Sequence, residues 1–251
     1  EKAPGNGAKV TTTLTTVSGL DVTVTLIKSG DALDTIDYNL SSTTVVIPAG
    51  QTSASVTLTS SDDTLYELTE TVTLDVDTVI NGTEVGTQTK SVTVINDDPQ
   101  PNVTLSVGSV TIDEEVGTTT TDVIATLSAV SGLDVSVGLS IGGSAISGTD
   151  FNLGTAITLP AGIPSTSIPL TSLPDLLSED DETIIIEIVS VTNAVKPGLQ
   201  QQTVRILDDD PKPTVTLLLG SASLSEDAGA TSTTLTATLD VASGRTITTF
   251  L

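Results

Sequence analysis

The chain has 251 residues, with 32 acidic against 8 basic side chains and a formal net charge of −24 at pH 7. This charge argues against nucleic acid and anionic membrane surfaces as partners. Cysteine, histidine, methionine and tryptophan are all absent. Their absence excludes a thiol nucleophile, a histidine base, a Cys/His zinc site and a haem ligand set. The hydrophobic fraction of 37% is enough for folded cores.

The ends of the chain and its apolar runs bear on where the protein acts. No apolar run is long enough to span a bilayer, so direct membrane insertion is not predicted. The sequence begins and stops inside recurring patterns, without an initiator methionine or a signal peptide. We therefore expect it to be a piece of a longer protein.

Short motifs recur at a fixed distance along the chain. VSGLDV occupies residues 17–22 and 130–135, an offset of 113, and PAG occupies 48–50 and 160–162, an offset of 112. A period of this length corresponds to a whole domain and not to a solenoid repeat. The predicted domains are 1–98, which lacks its first strand, 101–210, which is complete, and 213–251, the truncated opening of a third repeat.

Apolar and polar residues alternate with a period of two in many short runs. In chain order the clearest are residues 22–26, 72–76, 103–107 and 135–139, where valine, leucine and threonine dominate. Such runs favour strands over helices, and turn-forming residues separate them. About seven strands in ~110 residues predict an all-β chain of tandem antiparallel Greek-key β-sandwiches, immunoglobulin-like in type.

The connections between the repeats contain two prolines in three residues. They are residues 99–101 (PQP) and 211–213 (PKP). Proline restricts its own φ angle and the conformation of the preceding residue, so these connectors should be short, extended and stiff. We expect the repeats to form a rod with restricted bending.

Both complete repeats carry the same spacing of acidic residues before a strand. In the first, Asp63 precedes a Glu-x-x-Glu pair formed by Glu67 and Glu70. In the second, the equivalent carboxylates are those of residues 175, 179 and 182. Carboxylates this close repel one another unless water solvates them or a cation bridges them.

Further carboxylates of the second repeat lie in three other segments. Glu114 follows the first strand, Asp150 lies in a loop, and residues 208–210 (DDD) close the last strand. A sandwich collects alternate loops at each of its ends, so these segments can meet the 175–182 loop at one end. Calcium takes about six to eight oxygen ligands, and a chain without imidazole or thiolate offers ligands for a hard cation only. The sequence predicts bound Ca²⁺.

At these motifs the chain resembles the Calx-beta domains of sodium–calcium exchangers and large bacterial surface proteins. The residues that carry the resemblance are 113–117 (DEEVG), 148–151 (GTDF), 175–182 and 208–210. The resemblance covers the first two repeats almost completely and the opening of the third. It implies a seven-strand sandwich that clusters several calcium ions at one end.

The resemblance also implies the metal ligands, residue by residue. In the second repeat, with the carbonyl of Leu177, they are Glu114, Asp150, Asp175, Glu179, Glu182, Asp208, Asp209 and Asp210. In the first repeat, with the carbonyl of Leu65, they are Asp37, Asp62, Asp63, Glu67, Glu70, Asn96, Asp97 and Asp98.

The sequence departs from the family pattern at several positions. Pro174 stands where the first repeat has Asp62, and Asn96 replaces the first aspartate of the closing triplet. Glu1 falls on the position of Glu114. The third repeat keeps only two acidic positions, Glu226 and Asp227. We expect each complete repeat to hold fewer ions than the fullest sites of the family.

Other interpretations of the acidic clusters stay open. Each cluster alone could be a solvated loop, and charge followed by proline could block edge pairing of a strand. Paired carboxylates also serve glycosidases, but the chain has no tryptophan to stack on sugars, and no enzyme is predicted. A lectin-like module would need an exposed binding pocket that the sequence does not reveal.

The predicted function is that of a calcium-binding structural repeat in a larger adhesin or surface fibre, extracellular or at the cell surface. Calcium would stiffen the ends at which repeats join. The predicted partners are neighbouring repeats of the same chain and other copies in a fibre. The alternative is a calcium-sensing module that regulates an attached membrane transporter or receptor. More repeats on either side would favour the fibre, and flanking membrane helices would favour the sensor.

Overall fold

A computed structural model of the chain describes residues 7–114, 119–226, 229 and 231–250. Every regular element in these ranges is a β-strand, which confirms the prediction of an all-β chain. None of the described segments forms a helix that could cross a membrane. The chain divides into two compact units. The first contains the described residues up to Pro101 with Ala129–Leu133, and the second contains the remainder.

The first unit is a sandwich of two antiparallel sheets. Its strands are β1 (Ala8–Thr13), β2 (Val22–Gly30), β3 (Tyr38–Leu40), β4 (Thr44–Ile47), β5 (Ser53–Ser60), β6 (Glu70–Ile80) and β7 (Lys90–Val94). One sheet has the order β1-β5-β3 and the other the order β4-β2-β6-β7. Alternate residues of β2 and β6 point inward, which explains the period-two pattern of the sequence.

The sandwich of the second unit contains nine of the described strands, in two sheets. They are β8 (Val103–Val107), β9 (Thr111–Asp113), β10 (Thr120–Leu127), β11 (Val135–Gly143), β12 (Phe151–Leu153), β13 (Ala156–Leu159), β14 (Ser165–Ser172), β15 (Glu182–Thr192) and β16 (Gln201–Leu207). The sheet orders are β12-β14-β10-β8 and β13-β11-β15-β16-β9. The core between the sheets is largely aliphatic and includes Phe151, Ile157, Ile184, Ile186 and Ile188.

The predicted count of about seven strands differs from the nine of this sandwich because two strands change sheets halfway. β8 pairs with β10 in one sheet, and after a turn at Gly108 the chain continues as β9 in the other. β12 and β13 divide in the same way. β9 pairs with β16 in parallel, so the expectation of purely antiparallel pairing does not hold at this position.

The last described residues form a small two-stranded sheet. β17 (Val215–Leu219) pairs with β18 (Leu235–Leu239), and the side chains of both strands are exposed. The turn that follows contacts the rest of the second unit, because the N–H of Gly244 donates to the carbonyl of Ser178 at 3.2 Å. This sheet therefore has strands but no sandwich of its own around it.

Candidate metal centre

Main-chain hydrogen bonds bring the acidic segments of the second unit to one end of the sandwich. The N–H of Glu114 donates to the carbonyl of Leu207 at 3.0 Å, which joins the end of β9 to the end of β16. The N–H of Glu179 donates to Oδ1 of Asp208 at 3.1 Å, which joins the acidic loop to the closing triplet. Three of the four predicted segments therefore meet here.

Asp150 brings in the fourth segment. Its carboxylate accepts the N–H of Ile146 at 2.6 Å, and its carbonyl accepts the N–H of Leu173 at 2.9 Å. A side-chain hydrogen bond joins it to Glu182 at the start of β15. Two carboxyl groups pair in this way only when one of them is protonated or a cation lies between them.

Burial and mutual repulsion raise the pKa values of several of these carboxyl groups. Glu114 is only 8% exposed. Its burial, followed by the charges of Asp175 and Asp208, raises its pKa to about 7. Burial and Asp150 together raise the pKa of Glu182 to about 7. Burial, Asp175 and Asp150 raise the pKa of Glu179 as well. A bound cation would relieve this repulsion.

The first unit builds a matching cluster around Asp37. This aspartate is buried, and its carboxylate accepts the N–H of Leu33 as Asp150 accepts that of Ile146. Burial, a side-chain hydrogen bond to Asp37 and the charge of Asp37 raise the pKa of Glu70 to about 7.

The next glutamate of this cluster, Glu67, behaves in the same way. Burial raises its pKa first, and the charges of Asp37, Asp63 and Asp98 add to the effect. The first unit therefore gathers carboxylates from the loop before β3, the loop before β6 and the segment after β7.

The two leucines predicted to supply carbonyl ligands lie in equivalent turns. The N–H of Leu65 donates to Oδ1 of Asp63 at 2.7 Å, and the N–H of Leu177 donates to Oδ1 of Asp175 at 2.6 Å. These turns fix the backbone next to the acidic clusters. A ligand role for either carbonyl stays a prediction.

Some predicted ligands lie at the margin of the clusters. Asp62, Asp97, Asp175 and Asp209 are exposed. Asp209 still acts electrostatically, because burial followed by the charges of Asp209 and Asp208 raises the pKa of Asp210. Asn96 lies just after β7, and its side-chain Oδ1 accepts the N–H of Asp98 at 3.3 Å, which closes a turn there.

Two acidic residues of the loop before β15 pair with arginines and not with the cluster. Asp181 contacts Arg205 and Asp180 contacts Arg245, each at 2.7 Å. Neither belongs to the predicted ligand set. The positions of Glu1 and Asp227 lie outside the described residues.

One carboxylate near the first cluster was missed from the sequence. Asp31 follows β2, accepts the N–H of Thr71 at 2.6 Å, and contributes to the raised pKa of Glu70. Its counterpart in the second unit is Ser144, whose Oγ accepts the N–H of Thr183 at 2.9 Å. Asp31 follows β2, and β2 pairs with β6, which begins at Glu70. This pairing brings Asp31 close to Glu70, and the spacing of acidic residues in the sequence does not reveal it.

The donor set fits a hard cation in its chemistry. It consists of carboxylates and backbone carbonyls, which are the ligands that calcium accepts in irregular geometry. Within the described ranges, no three acidic side chains form a group that could hold a metal ion as they stand. Ligation would therefore require carboxylates to turn toward a shared point, and the individual ligand assignments stay predictions.

The fold and the paired acidic clusters define a class of protein: tandem β-sandwiches with carboxylates gathered at one end. The sequence matches the Calx-beta domain twice, over residues 7–99 and 96–210. The chain belongs to the Calx-beta domain family. A search among curated proteins found no match.

Solved structures similar to this chain include domains of Calx proteins that are named CBD. The apo form of the Calx CBD1 domain is 24% identical, with 45% of this chain and 100% of that chain covered and a TM-score of 0.37. CBD12 from CALX1.2 is 14% identical, with 80% and 92% covered and a TM-score of 0.37. The calcium binding domain CBD12 of CALX1.1 is 12% identical, with 80% and 93% covered and a TM-score of 0.34.

Proposed function

We propose that the two complete repeats bind calcium at their acidic ends. The observation that carries this proposal is the convergence of carboxyl groups whose pKa values are raised to about 7 by burial and by one another. A polypeptide gains nothing in stability from crowding such groups, so the arrangement needs a counter-charge that binds them. Calcium suits the oxygen-only donor set, and membership of the Calx-beta family supports the choice.

The role that we propose is structural. The closing acidic segments directly precede the proline connectors, as Asp98 precedes Pro99 and Asp210 precedes Pro211. An ion held by these carboxylates would also fix the last residues before each connector. Repeats stiffened in this way would extend a surface fibre or adhesin outside the cell, with neighbouring repeats and other copies as partners.

A calcium sensor attached to a transporter or receptor is the second candidate. It rests on the same tandem pair of family matches and on the same proposed calcium binding. Both candidates are binding modules and not catalysts. The parent reading frame distinguishes them: further repeats support the fibre, and membrane-spanning helices beside the pair support the sensor.

Thermal unfolding with and without calcium tests the binding itself. Extracellular calcium modules have dissociation constants of about 10⁻⁴–10⁻³ M, and calcium at 100 times that constant stabilises a site by about 2.7 kcal/mol. We expect melting temperatures in calcium to exceed those in chelator by several degrees. The chelator sample must match the ionic strength, because salt alone screens repulsion. Identical melts under matched conditions would rule out the proposed function.

A further inference from the structure

A Ser-Gly turn contacts the acidic loop of the first unit. The turn lies at residues 129–133, which are part of this compact unit. The N–H of Gly132 donates to the carbonyl of Tyr66 at 3.0 Å, and Oγ of Ser131 donates to the same carbonyl at 3.5 Å. Ser131 is 2% exposed, so it is closed to solvent. The next residue of the acidic loop is Glu67, a predicted calcium ligand.

The second unit forms the same contact with residues 112 positions later in the sequence. The N–H of Gly244 donates to the carbonyl of Ser178 at 3.2 Å, and Oγ of Ser243 donates to this carbonyl at 3.3 Å. Ser178 is buried, and the residue after it is Glu179, again a predicted ligand. The contact is therefore the same although the residue that supplies the carbonyl differs between the two loops.

In both units the glycine leaves room for the side chain of this glutamate. A Cβ at Gly132 would lie 2.5 Å from Cγ and from Oε1 of Glu67. A Cβ at Gly244 would overlap Oε1 of Glu179 and lie 2.8 Å from its Cδ. Neither glycine has a positive φ, so the backbone itself would accept alanine. The glutamate that lies against each glycine is therefore the reason why a side chain does not fit there.

The same glutamates lie close to the other carboxylates of the acidic end. The charges of Asp37 and Asp63 act on Glu67, and the charge of Asp175 acts on Glu179. Each glutamate is thus in contact with a glycine and within the electrostatic reach of the cluster. A long side chain loses rotamer freedom when it binds a metal, and a neighbour that already restricts the side chain lowers this cost.

We propose that Gly132 and Gly244 are positioning residues for calcium, each of which orients the glutamate of one acidic loop. The inference rests on the proposed calcium function and deepens it, because it adds to each site a segment that supplies no ligand. Groups that orient a metal ligand typically contribute about 10–100-fold to the affinity for the metal. Each turn lies 65 residues after the carbonyl that it contacts, so the spacing of the acidic residues does not reveal it.

The calcium affinity of the first unit tests this proposal. Urea denaturation of the full chain is measured in chelator and at several calcium concentrations, at matched ionic strength. Tyrosine fluorescence follows the first unit, because Tyr38 and Tyr66 are the two tyrosines of the chain. We expect Gly132→Ala to weaken calcium binding by this unit about tenfold. Its effect in chelator should be small, because Glu67 is a flexible side chain that can turn away from the added methyl group.

The equivalent glycine provides the matched control. Gly244→Ala makes the same substitution beside the acidic loop of the second unit, and it should leave calcium binding by the first unit unchanged. Equal weakening of the first unit by both substitutions would overturn the proposal. Unchanged calcium affinity in Gly132→Ala would overturn it as well, and so would unfolding of this variant in chelator, because the glycine would then serve the fold itself.

A double-mutant cycle distinguishes positioning from a general effect on the loop. Because the glycine acts through Glu67, the double variant Gly132→Ala/Glu67→Gln should bind calcium no more weakly than Glu67→Gln alone. Additive losses would overturn the inference and leave the proposed calcium function standing. A wild-type chain that calcium does not stabilise would overturn that function and the inference with it.

Discussion

Each of the two units has an acidic cluster at one end of its sandwich. The two units differ in how completely the core of that sandwich is covered. In the second unit Val123, Ala125 and Leu127 of β10 are buried. The equivalent residues of the first unit, Val10, Thr12 and Leu14, are only half-buried because no described strand covers them as β8 covers β10. The acidic clusters nevertheless have matching hydrogen bonds in the two units. The part of the acidic end that both units have is thus independent of the opening strand, which in the second unit adds Glu114.

The physical reason for this independence lies in the elements that hold the clusters. Asp37 and Asp150 are fixed by main-chain N–H groups four residues earlier, and Glu70 and Glu182 begin the central strands β6 and β15. Each unit has its own copy of this loop and of this central strand. In the second unit the opening strand closes the core and also carries Glu114 to the acidic end. Four predictions, from the largest expected effect to the smallest, test this difference between the two units.

The largest effect should come from alanine at the glycine that ends β11. Gly143 has a φ of 116°, and a Cβ there would lie 2.1 Å from the carbonyl oxygen of Thr183. Strain of this kind costs about 3 kcal/mol, and the backbone of β15 must also shift. Gly30→Ala should cost the first unit as much, because its Cβ would lie 2.0 Å from the carbonyl oxygen of Thr71.

The neighbouring glycine provides the matched control for this experiment. Gly142 has open space around its Cβ position, so Gly142→Ala should change stability little. Urea denaturation followed by far-UV circular dichroism measures the two units together, and the second unit is obtained by comparison with the first. Tyrosine fluorescence reports the first unit alone, because Tyr38 and Tyr66 are the two tyrosines of the chain. If Gly142→Ala and Gly143→Ala lower the stability equally little, the backbone at Gly143 does not require glycine.

The second prediction concerns the core on which the two units differ. Leu127→Ala removes a buried side chain and should destabilise the second unit by about 3 kcal/mol. Leu14→Ala removes a half-buried side chain that borders a cavity of about 310 Å³ in the first unit, and we expect about 1 kcal/mol. The same denaturation experiment measures both. Equal losses would mean that Leu14 is packed as tightly as Leu127, and the contrast between the units would disappear.

The sequence was sufficient to predict the β-sandwich class and the grouping of acidic segments. Period-two runs such as residues 22–26 and 135–139 report inward and outward faces directly, because a strand has a period of two. The shared spacing of Glu67 with Glu70 and of Glu179 with Glu182 reflects a shared loop before the central strand. Local pattern and local structure agree at these positions.

Features that depend on long-range placement could not be predicted in the same way. The division of the opening strand into β8 and β9 depends on which sheet each half meets, and the two halves read as one run in the sequence. The contribution of Asp31 depends on the pairing of β2 with β6, which brings Gly30 opposite Val72. Ligand assignments for individual carboxylates depend on side-chain rotation about a cation, which neither spacing nor fold determines.

The third prediction compares two substitutions that each remove one formal charge from the second unit. Glu182→Gln alters the acidic end, where this side chain is hydrogen-bonded to Asp150. Asp122→Asn alters an exposed residue of β10, which contacts Ser167 at 3.2 Å. We expect Glu182→Gln to weaken calcium binding about tenfold, or about 1.4 kcal/mol, and Asp122→Asn to leave it unchanged. Calorimetric titration with calcium measures the affinity of both variants. If both substitutions change the affinity equally little, the calcium site does not include Glu182.

The last prediction concerns pH and applies to both units, because each holds carboxyl groups whose pKa values are raised to about 7. In the unfolded chain the pKa of a glutamate is about 4.3. Between these values the folded chain binds more protons than the unfolded chain, so in chelator its stability should rise as the pH falls from 8 to 5. Calcium binding should show the opposite trend, because protons compete for the same oxygens.

Urea denaturation in chelator at pH 5, 6, 7 and 8, at constant ionic strength, measures the first trend, and calcium titration at the same pH values measures the second. Glu114→Gln is the sharpest variant, because it removes one group with a raised pKa from the second unit and should flatten the pH dependence of that unit alone. The first unit, followed by tyrosine fluorescence, serves as the internal control. Stability in chelator that rises with pH over this range would show that the carboxylates do not repel one another in the folded chain. The two acidic ends would then be solvated loops without need of a cation.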